Sequence, residues 1–249
     1  MISRCYEGLL LIINNVGKVA TELPKPKPKP KPKLDRTKTQ TMNTDPGSSP
    51  TLKQQILDTW FKDTTSNRLD LPQTKRWFNG GKSFDKHLTR DFSDAVNKAG
   101  NGAFDDWMED ALGSLALLVL LDQFARNIFR GSAKAFAFDP KAQSVCLDGL
   151  AKGFDKNLPI TQRIFYYLPL EHAESHELQA ESLKRFTALH AQSSKDLKEF
   201  TRRTLDSAIE HKAIIDAFGR YPYRNAVLSR ENTLEEERWL ADSNKRFGQ

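Results

Sequence analysis

ALGSLALLVLLDQFARNIFRG, residues 111–131, is the longest apolar run in the chain, and it ends in a dense group of hydrogen-bonding side chains. On a helix advancing 100° per residue, its first half is apolar on nearly every side, which is the pattern of a buried helix. In its second half Asp122, Gln123, Arg126, Asn127 and Arg130 fall within one arc, and Phe124, Ala125, Ile128 and Phe129 take the other. The polar arc continues the line of Leu112, Leu115, Ala116 and Val119. One face therefore passes from dry core to charged groups while still pointing inward. Buried charges persist only when paired and hydrogen-bonded, so a polar pocket or network is expected at one end of the core.

Outward from this stretch the sequence reads as helices throughout. Ser49-Pro50 suits a helix start, with Ser at the cap and Pro at the first position, and Leu52, Ile56, Leu57, Trp60 and Phe61 then form one apolar face. Gly80-Gly81 breaks the chain. Phe84, Leu88, Phe92, Ala95 and Val96 recur at helical spacing until Gly100-Asn101-Gly102. Further helices are expected over residues 136–153, over residues 169–190 with Pro169 setting the start, and over residues 197–218 with Gly219 ending it. Thr233-x-x-Glu236 is a capping box for a last short helix. No segment alternates as a strand would, and no repeat of helical pairs stands out. The expected fold is all-α.

The chain has 249 residues, 38% of them apolar, and a net charge of +6. Residues 1–50 carry nine Lys/Arg and four Asp/Glu, which leaves 29 basic and 28 acidic residues for the rest. The remainder is thus nearly neutral, which argues against a nucleic-acid partner. PKPKPKPKPK, residues 24–33, favours extended polyproline II with charge repulsion between its lysines. The expected organisation is a disordered Pro/Lys-rich tail over residues 1–50 and one helical domain over residues 51–249. Residues 1–20 hold a short apolar segment, GLLLII, with no convincing cleavage site. A cytoplasmic location is expected, with organelle targeting through residues 1–20 the lesser alternative. Asp122 interrupts the central run, so no membrane association is expected. Cys5 lies in the tail, and Cys146 alone cannot staple the domain.

Five segments carry a resemblance to a known family. LLDQFARNIFRG (residues 120–131), YLPLEHAE (167–174) and FGRYPYRN (218–225), preceded by ILDTWF (56–61) and RWFNGGKSFD (76–85), resemble a mostly bacterial family of unknown function with a tetratricopeptide-like helical fold. The resemblance spans roughly residues 51–247 and implies a compact array of antiparallel helices. It implies no activity. This chain departs from the family's FPHRN pattern by carrying Tyr223 where the pattern has histidine, which removes one proton-transfer group. It also carries Ala125 where the family usually has proline.

Three groups of residues are chemical candidates. On the central helix Gln123, Arg126, Asn127 and Arg130 outnumber the one carboxylate, Asp122, and surplus guanidinium forks suit a carboxylate or phosphate from elsewhere. That partner is either a protein carboxylate, Glu171 or Glu174, or an anionic ligand. In PLEHAESH (residues 169–176) a histidine beside a carboxylate suits general-base work, so His172, Glu171 and Glu174 are catalytic candidates, with the alternative that His172 is a satisfied core histidine. His172 and His176 would share a face of one helix, but no third ligand accompanies them and no metal is expected. His211 is the fourth catalytic candidate. In FGRYPYRN, Gly219 and Pro222 make a rigid turn that displays Arg220, Tyr223, Arg224 and Asn225, either for binding or as a helix-capping corner. No cofactor fingerprint is present. Taken together, these features favour a binding module with a polar Arg/Glu/His pocket for a small anionic ligand or peptide. The alternative is an enzyme of hydrolase-like acid/base chemistry, in which a His/Glu pair acts while arginines hold an anionic substrate.

Overall fold

A computed structural model describes residues 49–62, 77 and 81–242, and every regular element among them is helical. The elements are α1 (Leu52–Phe61), α2 (Gly81–Gly100), α3 (Ala111–Ile128), α4 (Asp139–Ala151), α5 (Ile160–Glu171), α6 (His176–Gln192), α7 (Lys198–Phe218) and α8 (Leu234–Asp242). Short 3₁₀ turns link several of them, including Ala133–Phe136 and Pro222–Arg224. The tail expected over residues 1–50 lies almost wholly outside the described residues.

α3 is the core helix. Leu115 to Leu121, Phe124 and Ala125 are all at most 1% exposed, and α1, α2, α4 and α5 pack around it. It is long and apolar enough to cross a bilayer by composition, but 72% of that window is buried inside the protein. Asp110 starts it by accepting the Gly113 N–H at 2.7 Å. Its regular geometry stops at Val119. Between Val119 and Phe124 the turn widens to a π-helix, and Ala125 donates its N–H to Leu120 O, five residues back. The uniform 100° rotation expected for this stretch therefore fails where the charged residues begin. Every side chain after the wide turn is rotated relative to the apolar half.

Trp60, Phe61, Trp77 and Phe165 form an edge-to-face aromatic cluster beside α3, with Trp77 and Phe165 centroids 4.7 Å apart. Gly149 of α4 lies directly against Tyr166, whose hydroxyl meets Ser114 Oγ at 2.8 Å. A Cβ at residue 149 would fall on that hydroxyl. Gly149→Ala is expected to cost about 1–3 kcal/mol through overpacking. An unchanged melting temperature would mean that Tyr166 can swing aside.

Three expected boundaries move. α1 is capped by Thr51 and not by Ser49. The helix expected over residues 136–153 begins at Asp139, with Pro140 in its first turn. Pro169 does not start a helix; it sits in the last turn of α5, and the next helix starts after Ser175, whose hydroxyl accepts the Leu178 N–H. PLEHAESH therefore covers the end of one helix, a connection and the start of another, so His172 and His176 share no helical face. The end of α7 follows expectation, with Gly219 at φ +68°, and so does the capping box, with Thr233 and Glu236 bonded reciprocally.

Candidate functional site

The wide turn of α3 delivers Asp122 and Gln123 to the interior, and Asp122 is 1% exposed. A buried carboxylate needs several partners, and Asp122 has three: Arg126 at 3.0 Å, His172 Nδ1 at 2.7 Å and the Gln123 amide. Burial alone would raise its pKa, yet Arg126, His172 and their hydrogen bonds outweigh that and hold the carboxyl well below its ordinary range.

Arg126 also reaches across to α4. Its two terminal nitrogens each donate to one Asp139 oxygen at 2.9 Å, a bidentate fork, and its Nη1 also donates to the Asp122 carbonyl. Asp139 gains further from its place at the start of α4, where the helix dipole favours negative charge. Arg224, from the 3₁₀ turn after α7, donates to Asp139 at 3.4 Å and to the His172 carbonyl at 3.1 Å. The guanidinium of Arg224 lies against the rings of Phe136 and Tyr221, at 4.6 and 4.4 Å.

His172 is the residue after α5, so it is free of the helix and can turn its ring toward Asp122. A carboxylate only accepts, so the Nδ1 of His172 carries the proton and Nε2 keeps a lone pair. Burial and the neighbouring Arg126 lower its pKa despite Asp122, which keeps the ring neutral. Its side chain is 16% exposed against 1% for Asp122. Asp122 covers the Nδ1 edge, Nε2 is not among the fully buried polar atoms without a partner, and no described residue bonds it.

A second carboxyl–imidazole pair lies behind the first. Glu171 accepts from Ser207 Oγ at 2.8 Å and stands 3.2 Å from His211 Nδ1, which itself donates to the Ser207 carbonyl at 2.9 Å. Burial pushes Glu171 up to about 8, only partly opposed by the Ser207 bond. Burial and the nearby His172 bring His211 down to about 3. The pair is a neutral acid facing a neutral imidazole at pH 7. The His211 and His172 rings lie 6.3 Å apart, centroid to centroid.

The structure gathers some of the expected site residues and disperses others. Asp122, Gln123, Arg126, Glu171, His172, His211 and Arg224 belong to one centre. Tyr223 borders it, stacked on Tyr221 at 5.3 Å with its hydroxyl pushed up to about 12 by burial. Asn127 donates to the Gln123 carbonyl and accepts from Arg130, which pairs with Asp85 of α2 at 3.1 Å. Arg220 and Asn225 bind Glu236 of α8 instead, and Glu174 pairs with Arg230 at 2.7 Å. The expected pairing of Arg126 or Arg130 with Glu171 or Glu174 is absent. Arginine on α3 is answered by Asp85 and Asp139, and α3 meets the end of α5 through Asp122 and His172. Among the described residues the expected surplus of cationic donors is met by carboxylates from other elements. Among the described residues no group of three or more His, Cys, Asp or Glu side chains is arranged to hold a metal ion.

Asp139, Asp85, Ser207 and Glu236 were not among the expected site residues. Asp139 did carry one signal, an acidic residue just before Pro140 at a helix start. Asp85 and Ser207 carried none, because only tertiary packing brings them near.

Residues 56–244 match the family profile described as bacterial protein of unknown function, DUF924. The chain is also similar to a solved structure, a protein of unknown function, ATU0120, from Agrobacterium tumefaciens. That likeness has a TM-score of 0.66 at 35% identity and covers 77% of this chain and 98% of the other. No curated protein matches the chain.

Proposed function

The chain belongs to the bacterial DUF924 family of proteins of unknown function, and from that footing we propose that its polar centre is a small-molecule site working by acid–base chemistry, with His172 as general base. The observation that carries this reading is the Asp122–His172 pair. A buried carboxylate fixes the tautomer and the ring, and an unbonded Nε2 lone pair is left on the ring's other edge. An imidazole held this way takes a proton from a water or from a bound hydroxyl or amide, and Asp122 stabilises the imidazolium that forms. Burial, with help from the flanking arginines, lowers the pKa of His172, so the base is in its reactive neutral form at pH 7. The reading changes the expected pair from His/Glu to His/Asp and gives the arginines a different task. They hold Asp122 and Asp139, and so position the base. A cytoplasmic location is part of the same reading.

The test is chemical. Diethyl pyrocarbonate acylates neutral, accessible imidazole nitrogen, and peptide mass spectrometry reports which histidine has reacted. In the native protein at pH 7, His172 is expected to react, and Asp122→Asn is expected to slow it by loosening the ring. The buried His211, 4% exposed, is expected to stay protected. If His172 reacts only on unfolding, Nε2 is not available and the reading fails.

A further inference from the structure

We propose that the molecule taken by this centre is uncharged, and that it presents an N–H or O–H donor to His172 Nε2 beside a carbonyl or hydroxyl acceptor, as a small carboxamide or hydroxyamide does. The inference rests on the acid–base reading of His172 and adds the class of ligand.

Among the described residues, charge in the centre cancels locally. Two guanidiniums, Arg126 and Arg224, face two carboxylates, Asp122 and Asp139, in a contiguous set of contacts between 2.9 and 3.4 Å. The second pair adds nothing whichever way its proton lies. Glu171 and His211 sum to zero as neutral acid with neutral base, and equally as carboxylate with imidazolium. His172, neutral, contributes none. An anion entering this site would give up its hydration without meeting net positive charge, and a cation would be no better served.

Hydrogen-bonding capacity does remain. Among the described residues His172 Nε2 accepts from no donor, Arg224 Nε–H is buried without an acceptor, and Glu171 Oε2 is buried without a partner. Native interiors rarely leave such groups unmet. A ligand carrying donor and acceptor side by side matches an unmet acceptor and an unmet donor, whereas a carboxylate offers acceptors alone. The rings of Phe136, Tyr221 and Tyr223 lie against the Arg224 guanidinium, so the surroundings of its Nε–H are largely apolar.

The experiment uses the full chain and isosteric probe pairs: acetamide against acetate, and glycolamide against glycolate. Acylation of His172 is measured relative to the exposed His176, which corrects for consumption of reagent. At about 100 mM, the amides are expected to slow His172 about threefold, as mass action gives for a dissociation constant near half that concentration, and the carboxylates are expected to leave it unchanged. Asp139→Asn removes one negative charge, leaves the centre with a net cationic charge, and is expected to move protection toward acetate and glycolate. Protection by the carboxylates equal to or greater than that by the amides in the native chain overturns the proposal. So does protection by none of the four. Failure of His172 to react without any probe is a different result, because it removes the acid–base reading itself.

Discussion

Arg126→Ala is expected to destabilise the fold by about 3–5 kcal/mol, the cost of leaving buried carboxylates without their cation. Arg126 is the common partner of Asp122 and Asp139, the first 1% and the second 8% exposed. Its removal takes the closest cation from each, leaving Asp122 to His172 and Gln123 and Asp139 to Arg224 at 3.4 Å, and it also unbonds the Asp122 carbonyl. For a domain of this size that loss corresponds to roughly 10 °C in melting temperature. Arg126→Lys keeps the charge and loses the fork onto Asp139, so it is expected to fall between wild type and alanine. Urea denaturation at constant m-value measures both variants. A loss under about 1 kcal/mol for alanine, the range of exposed ion pairs, would mean that water reaches the two carboxylates.

Stability is also expected to fall as pH rises from about 6.5 to 8, an unusual direction for a carboxyl group. The cause is Glu171, whose folded pKa is raised to about 8 from an ordinary 4.5. A group raised in this way contributes stability that is fully present below its unfolded pKa and is lost as pH climbs through the folded one. His211 has the opposite sense, because its folded pKa of about 3 lies below the ordinary 6.5. Its contribution is present above 6.5 and is lost as pH falls toward 3. Between 4.5 and 6.5 the two slopes cancel, and His172, also lowered, tilts the curve upward with pH. Above 6.5 Glu171 acts alone, at about 1.4 kcal/mol per pH unit, or about 2 kcal/mol by pH 8. Below 4.5 Glu171 no longer offsets His211 and stability falls again. The maximum is therefore expected near pH 6.5. Glu171→Gln is expected to flatten the alkaline arm and leave the acid arm in place. Denaturant midpoints from pH 4 to 8.5 decide this, and an alkaline arm that survives in the glutamine variant would assign it to another group.

Much of this protein can be read from local pattern. Apolar spacing and the absence of alternation determine an all-α domain, because helix burial repeats every three to four residues and needs no distant information. The run from Ala111 to Leu121 had to be buried, and Asp122 with Arg126 had to be an interior pair, because a charge at the end of a dry helix has nowhere else to go. Gly219 and the Thr233–Glu236 box set their helix ends through backbone preferences of a few residues. His172, Glu171 and Arg224 were recognisable as chemical candidates by residue type and by their place near helix ends, and His211 by residue type.

Who meets whom was decided by the tertiary structure alone. Asp139 lies 13 residues beyond Arg126, Ser207 36 beyond Glu171, and Asp85 45 before Arg130. Only helix packing closes such distances, and composition along the chain carries no record of it. The π turn belongs with these, since no residue in VLLDQF requires it and the polar contacts of Asp122 reward it. The sign of the site was decided the same way. Read along the chain, the arginines of α3 and of the turn after α7 look like a surplus awaiting an anion. In space each meets a carboxylate from another element, because desolvating a guanidinium without one would cost more than the fold can supply.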